Sequence, residues 1–117
     1  MRRLSLAACF AVAALGCSNS ILCNDVSSIV SSCESFACAS CKVSSHCQAG
    51  VDVNTCAQVL SDNFGCTSQR CEPGLTFNPT GAEACLQGYE AQDCADNLAN
   101  TTPAACTNSA NPICVGP

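Results

Sequence analysis

Apolar side chains recur at helical spacing in three stretches of the chain. In the first, Val26, Ile29, Val30 and Cys33 share a stripe, Asn24 or Asp25 stands where an N-terminal cap belongs, and serines occupy the opposite face. That pattern predicts a short amphipathic helix over 25–35. The second stretch puts Cys56, Val59, Leu60 and Asn63 or Phe64 on one face, with Asn54 as its cap and Gly65 as a left-handed stop. The third opens with Thr80 and Glu83, a capping-box pair, and aligns Cys85, Leu86 and Tyr89. Glu72-Pro73-Gly74, Asn78-Pro79 and Gly81 are turn chemistry, and Thr102-Pro103 starts one more short turn before Cys106. The tail 107–117, with Pro112 and Pro117 and little periodicity, is expected to run extended over the surface. The fold class expected is mostly α, small and disulfide-rich: a cluster of about three short helices with irregular loops stapled by disulfides.

A further apolar stretch is of another kind. Met1, Arg2 and Arg3 precede a run from Leu4 to Gly16 broken only by Ser5, the basic-then-apolar order of a secretory signal. The run stops before Ser18, Asn19 and Ser20, short of the roughly 20 apolar residues that a spanning helix needs. It closes with Ala13-Ala14-Leu15-Gly16-Cys17, and here the sequence resembles the prolipoproteins of bacteria, whose signal ends in an apolar residue, small residues and a lipidated cysteine. The resemblance covers residues 1–17. It implies Cys17 as the lipid acceptor, loss of 1–16, a short tether over 17–22, and a bacterial cell envelope location in which the lipid anchor is the only membrane contact. The competing reading is an ordinary cut after Ser20 and free release outside the cell.

The chain has 14 cysteines in 117 residues, a share at which a short chain reads as a disulfide scaffold. Loss of 1–16 removes Cys9, and lipidation or removal of Cys17 leaves twelve for six disulfides: Cys23, Cys33, Cys38, Cys41, Cys47, Cys56, Cys66, Cys71, Cys85, Cys94, Cys106 and Cys114. They fall in a single domain, 23–117. Within it, Cys23, Cys33 and Cys38 repeat as Cys56, Cys66 and Cys71 at a displacement of 33 residues, with Val26 and Val59, Ser28 and Ser61, and Ser35 and Ser68 in step. This spacing suggests a duplication of 23–55 in 56–84, with 85–117 a degenerate third unit. The aromatics of this domain are Phe36, Phe64, Phe77 and Tyr89, and much of its apolar count is alanine and cysteine. Such a core seldom nets more than about 3–5 kcal/mol, whereas losing one native disulfide costs about 2–5 kcal/mol, so reduction is expected to unfold the domain.

Charge narrows the function classes. Without Arg2 and Arg3 the chain keeps two basic residues, Lys42 and Arg70, against nine acidic ones, a net −7 that argues against nucleic acid as partner. Cys38-Ala39-Ser40-Cys41 has the CxxC spacing of a thiol–disulfide exchanger, but among so many cysteines the spacing is an expected coincidence. His46, separated from Cys41 by four residues, begins a zinc-knuckle spacing that fails at Val51, where a fourth ligand belongs, so no metal is expected. His46 is the sole histidine, no GxSxG elbow accompanies the serines, and it reads as an exposed loop residue. Glu90, Asp93 and Asp96 lack the order of a calcium loop and read as a solvated face. Asn100-Thr101-Thr102 is a glycosylation sequon, relevant only in a eukaryotic host. No cofactor and no catalytic residue is indicated. The functional expectation is an exported, lipid-anchored envelope protein of structural or protein-binding type, its protein partner unidentified. The alternatives are a thiol–disulfide exchanger using Cys38 and Cys41, or a freely secreted cysteine-rich effector or inhibitor.

Overall fold

Ser28 and Ser31 start the first helix. The Ser28 hydroxyl accepts from the backbone N–H of Ser31 at 3.1 Å while the Ser28 N–H donates to the Ser31 hydroxyl at 3.1 Å, a reciprocal capping box. This helix, α1, spans Ile29–Cys47 in a computed structural model that describes residues 21–117. The expected signal 1–16 with Cys9, the expected lipid acceptor Cys17 and the alternative cut after Ser20 lie outside the described residues.

The helix predicted over 25–35 is thus corrected at both ends. Asp25 does not cap it: its carboxylate accepts from the N–H and hydroxyl of Ser27, at 3.0 and 2.6 Å, in a turn before the helix. These bonds hold the Asp25 carboxyl below its ordinary value. At the other end, residues 36–47 contain neither Gly nor Pro, and nothing stops the helix before Gln48. The serines do not form a solvent face either. Ser32, Ser35 and Ser40 are buried, along with Cys33 and every residue from Phe36 to Cys41. Buried on nearly all sides, this stretch has no amphipathic period to read.

The buried serines are satisfied locally. The Ser32 hydroxyl donates to the Ser28 carbonyl at 2.6 Å, one turn back. The Ser35 hydroxyl accepts from the Asp25 N–H at 2.9 Å and lies 3.0 and 2.9 Å from the carbonyls of Leu22 and Asp25, tying segment 21–25 along α1.

Helix α2 spans Val53–Phe64, begins at Asp52 rather than at Asn54, and ends at Gly65, whose φ of 66° is the left-handed stop expected there. Strand β1, Thr76–Phe77, precedes α3, Pro79–Glu90. Asn78 is the N-cap residue of α3 and Pro79 takes its first turn, so the Thr80 and Glu83 pair lies inside the helix rather than capping it. Helix α4, Cys94–Leu98, is an element the apolar pattern does not announce. Its cap is Asp93, whose carboxylate accepts from the Asp96 N–H at 2.8 Å. Asn100, at φ 61°, turns the chain after it in the left-handed region that asparagine tolerates. A short 3-10 turn over Ala104–Thr107 follows Pro103, and strand β2, Cys114–Val115, pairs antiparallel with β1.

The architecture is mostly helical: four helices and their loops stapled by six disulfides. Helix α1 lies between two small cores. Phe36 and Ala39 pack with Ala82, Cys85 and Leu86 of α3, while Cys38 and Cys41 pack with Ala57 of α2. Helix α4 docks through buried Asn97, whose amide donates to the Ser40 carbonyl at 2.9 Å and accepts from the Ser44 hydroxyl at 2.6 Å. The tail is extended, but it is built into the domain rather than laid over it. Asn78 binds it three times: its N–H donates to Ile113 at 2.7 Å, and its side-chain amide donates to Pro112 at 2.8 Å and Asn111 at 3.0 Å.

Gly81 makes that docking geometrically feasible. A β-carbon there would lie 2.7 Å from the Pro112 carbonyl carbon and 2.8 Å from the Asn111 oxygen, backbone atoms with little room to yield. Gly81→Ala is therefore expected to destabilise the domain by about 1–3 kcal/mol in denaturant unfolding with disulfides intact. Gly116→Ala, whose β-carbon would meet only Leu75 at 3.8 Å, serves as the control and is expected to change stability by less than about 0.5 kcal/mol. Equal effects at the two glycines would contradict the docked tail.

Candidate functional site

All twelve cysteines of the described residues are bonded, as Cys23–Cys38, Cys33–Cys66, Cys41–Cys56, Cys47–Cys94, Cys71–Cys114 and Cys85–Cys106. The CxxC cysteines are not bonded to each other. Cys38 and Cys41 sit one turn apart in the buried middle of α1, one joined to the N-terminal segment and the other to α2. The two repeated cysteine frames also pair differently: Cys23 bonds Cys38, but their counterparts Cys56 and Cys71 bond Cys41 and Cys114, while Cys33 and its counterpart Cys66 bond each other.

The remaining candidate residues are dispersed. His46 is exposed, as expected, but on the last turn of α1 rather than in a loop. It borders a shallow depression of about 640 Å³ with Lys42, Glu90, Ile21 and Leu22. Asp93 is occupied as the α4 cap, and among the described residues no cluster of three histidine, cysteine or acidic side chains is placed to hold a metal ion. No described helix is long and apolar enough to cross a membrane.

One concave site is built with more definition. Segment 66–71 bridges between two disulfides, Cys66 to α1 through Cys33 and Cys71 to β2 through Cys114, and so forms a strap fixed at both ends. A bond of 3.0 Å from the Gln69 side-chain amide to the Phe64 carbonyl secures its middle. Beneath the strap lies a groove of about 440 Å³, within the range of small-molecule sites. Its apolar lining includes Ile29, Phe36, Phe64 and Ile113. The rings of Phe36 and Tyr89, both lining residues, stack at a centroid distance of 5.6 Å and an interplanar angle of 19°.

Of the polar side chains that line the groove, Ser32 and Gln69 are engaged with the carbonyls of Ser28 and Phe64. Arg70, on the strap, is exposed and has neither an ion pair nor a hydrogen bond among the described residues. The Tyr89 hydroxyl likewise has no hydrogen-bond partner among them. No acidic residue lines the groove, although the chain carries nine. Lys42, the other basic residue of the described chain, shares its depression with Glu90. Arg70 is thus a cation in a groove lining that includes no carboxylate. Sequence reasoning did not find this site, because Arg70 belongs to no motif; the only signal was its position between Cys66 and Cys71. Comparison of the chain with protein-family models, curated proteins and solved structures found no match.

Burial raises the Tyr89 phenol above its ordinary value of 10.0. A raised folded-state value means that the native protein holds the proton more tightly than the unfolded chain. The associated stability is complete below pH 10.0 and is lost as pH rises through the folded-state value. Tyr89 is the sole tyrosine, so phenolate absorbance of the intact protein is expected to titrate as one step above pH 10.0. A midpoint at or below that value would show that the phenol is not buried as the fold requires.

Proposed function

We propose that the protein is an exported structural or protein-binding module, held rigid by disulfides and anchored to a bacterial cell envelope by lipid on Cys17. The observation that carries the exported half of this reading is that every described cysteine is bonded, a state that oxidising compartments maintain and the cytosol does not. The anchored half rests on the lipobox-like segment Ala13-Ala14-Leu15-Gly16-Cys17. For a structural role of Cys38 and Cys41, the support is their burial and their separate partners: as a redox pair they would need to approach each other and solvent. The tether implied by the anchor ends where segment 21–25 is bonded to α1 through Ser35 and Cys38, so force on the lipid would pass directly into the central helix.

The test is fractionation of a bacterial host expressing the full chain, followed by intact mass and thiol alkylation of the recovered protein. The expected result is a membrane-fraction species beginning at Cys17 with added acyl mass and no alkylated thiols, released to the soluble fraction by Cys17→Ser. A soluble species in the medium beginning after Cys17 would replace the anchor with the secreted reading. Two thiols at Cys38 and Cys41 that alkylate under mild reductant while the others stay bonded would replace the structural role with exchange chemistry.

A further inference from the structure

We infer that the groove under the 66–71 strap is a binding site for a single-chain amphiphile with an anionic head group, the chain lying along Phe36, Phe64 and Ile113 and the head meeting Arg70. The inference is independent of how the protein is anchored, because it uses only the described domain.

Its first support is chemical selection within the chain. Residues 21–117, with two basic and nine acidic side chains, repel anions over most of their surface, yet this groove has no carboxylate in its lining and holds one of those two basic side chains. An anion is therefore favoured here and disfavoured elsewhere. A guanidinium also offers a planar fork of donors that matches a carboxylate or phosphate oxygen pair.

The second support is preorganisation. Disulfides at Cys66 and Cys71 fix both ends of the segment carrying Arg70, so the backbone freedom that a ligand would otherwise have to remove is already removed. The third is the remaining lining: Ser32 and Gln69 are already bonded to the carbonyls of Ser28 and Phe64, while Tyr89 and Thr102 add polar side chains beside the apolar ones. A wholly apolar ligand would leave these and Arg70 unused; a small polar anion would leave the phenylalanines bare.

Tyr89 supplies the readout, since the chain has one tyrosine, no tryptophan, and that tyrosine in the groove wall. Decanoate, decanol and decyltrimethylammonium, each below its aggregation threshold, would be titrated into the exported, disulfide-intact protein while following tyrosine fluorescence and, separately, binding heat. Saturable decanoate binding is expected, tighter than decanol and with decyltrimethylammonium weakest. Arg70→Gln is expected to weaken decanoate about tenfold and decanol by less than about twofold, with Arg70→Lys intermediate. Arg70 is exposed, so these variants are expected to fold, which unchanged disulfide content and circular dichroism would verify. Absence of saturable decanoate binding, equal affinities for decanoate and decanol, or an Arg70→Gln variant that binds decanoate like the parent would each overturn the inference.

Discussion

Four of the six disulfides end on α1, at Cys33, Cys38, Cys41 and Cys47, and they leave that helix in different directions. Cys38 holds the N-terminal segment, Cys33 and Cys41 hold the end of α2 and its beginning, and Cys47 holds α4. A helix so surrounded must be narrow. Between Ser32 and Cys41 its one large apolar side chain is Phe36, and the rest of its buried positions are serine, alanine and cysteine. Small side chains bury little apolar area, so the close approach they permit is maintained by covalent bonds to a degree unusual for a domain of this length. Serine burial adds a further constraint: each hydroxyl must find a partner, and the partners of Ser35, Ser40 and Ser44 are the elements that dock on α1. Disulfides and hydrogen bonds therefore specify the same neighbours.

The other two disulfides do not end on α1. Cys85–Cys106 ties α3 to the turn at 104–107, and Cys71–Cys114 ties the strap to the tail. The groove exists because these two systems meet there. One wall is α1, one is the stacked Phe36 and Tyr89 pair, and the cover is a segment bonded at one end to each system. Its shape is thus a consequence of connectivity rather than of core volume, and a rigid apolar hollow in so small a domain needs such bracing.

Much of the helical content was legible from periodicity, because α2 and α3 each show one face to a core and the other to water. Gly65 was readable as the α2 stop for a backbone reason that no tertiary contact overrides. The extent of α1 was not readable, since a helix packed on nearly all sides carries no period, and the serines opposite its apolar stripe include the buried Ser32 and Ser35. Helix α4 was invisible because its five residues have no room for a pattern and its placement comes from Asn97 and Cys94. The strand pair leaves no pattern for a similar reason: two residues on each side, Thr76–Phe77 and Cys114–Val115, are too few to alternate. Of the site, the cysteines were legible one by one and their pairing was not, so the strap and the grouping of Arg70 with Phe36 and Phe64 in one groove could not follow from sequence.

Disulfide mapping by proteolysis without reduction, followed by mass spectrometry of the linked peptides, tests the covalent frame most directly. The structure requires that peptides containing Cys33, Cys38, Cys41 and Cys47 each be linked to a different segment, those of Cys66, Cys23, Cys56 and Cys94 respectively, with Cys71 linked to Cys114. A Cys38–Cys41 bond, or Cys66 and Cys71 bonded to each other, would remove α1 as the spine or the strap as a cover, and the account built on them would fail.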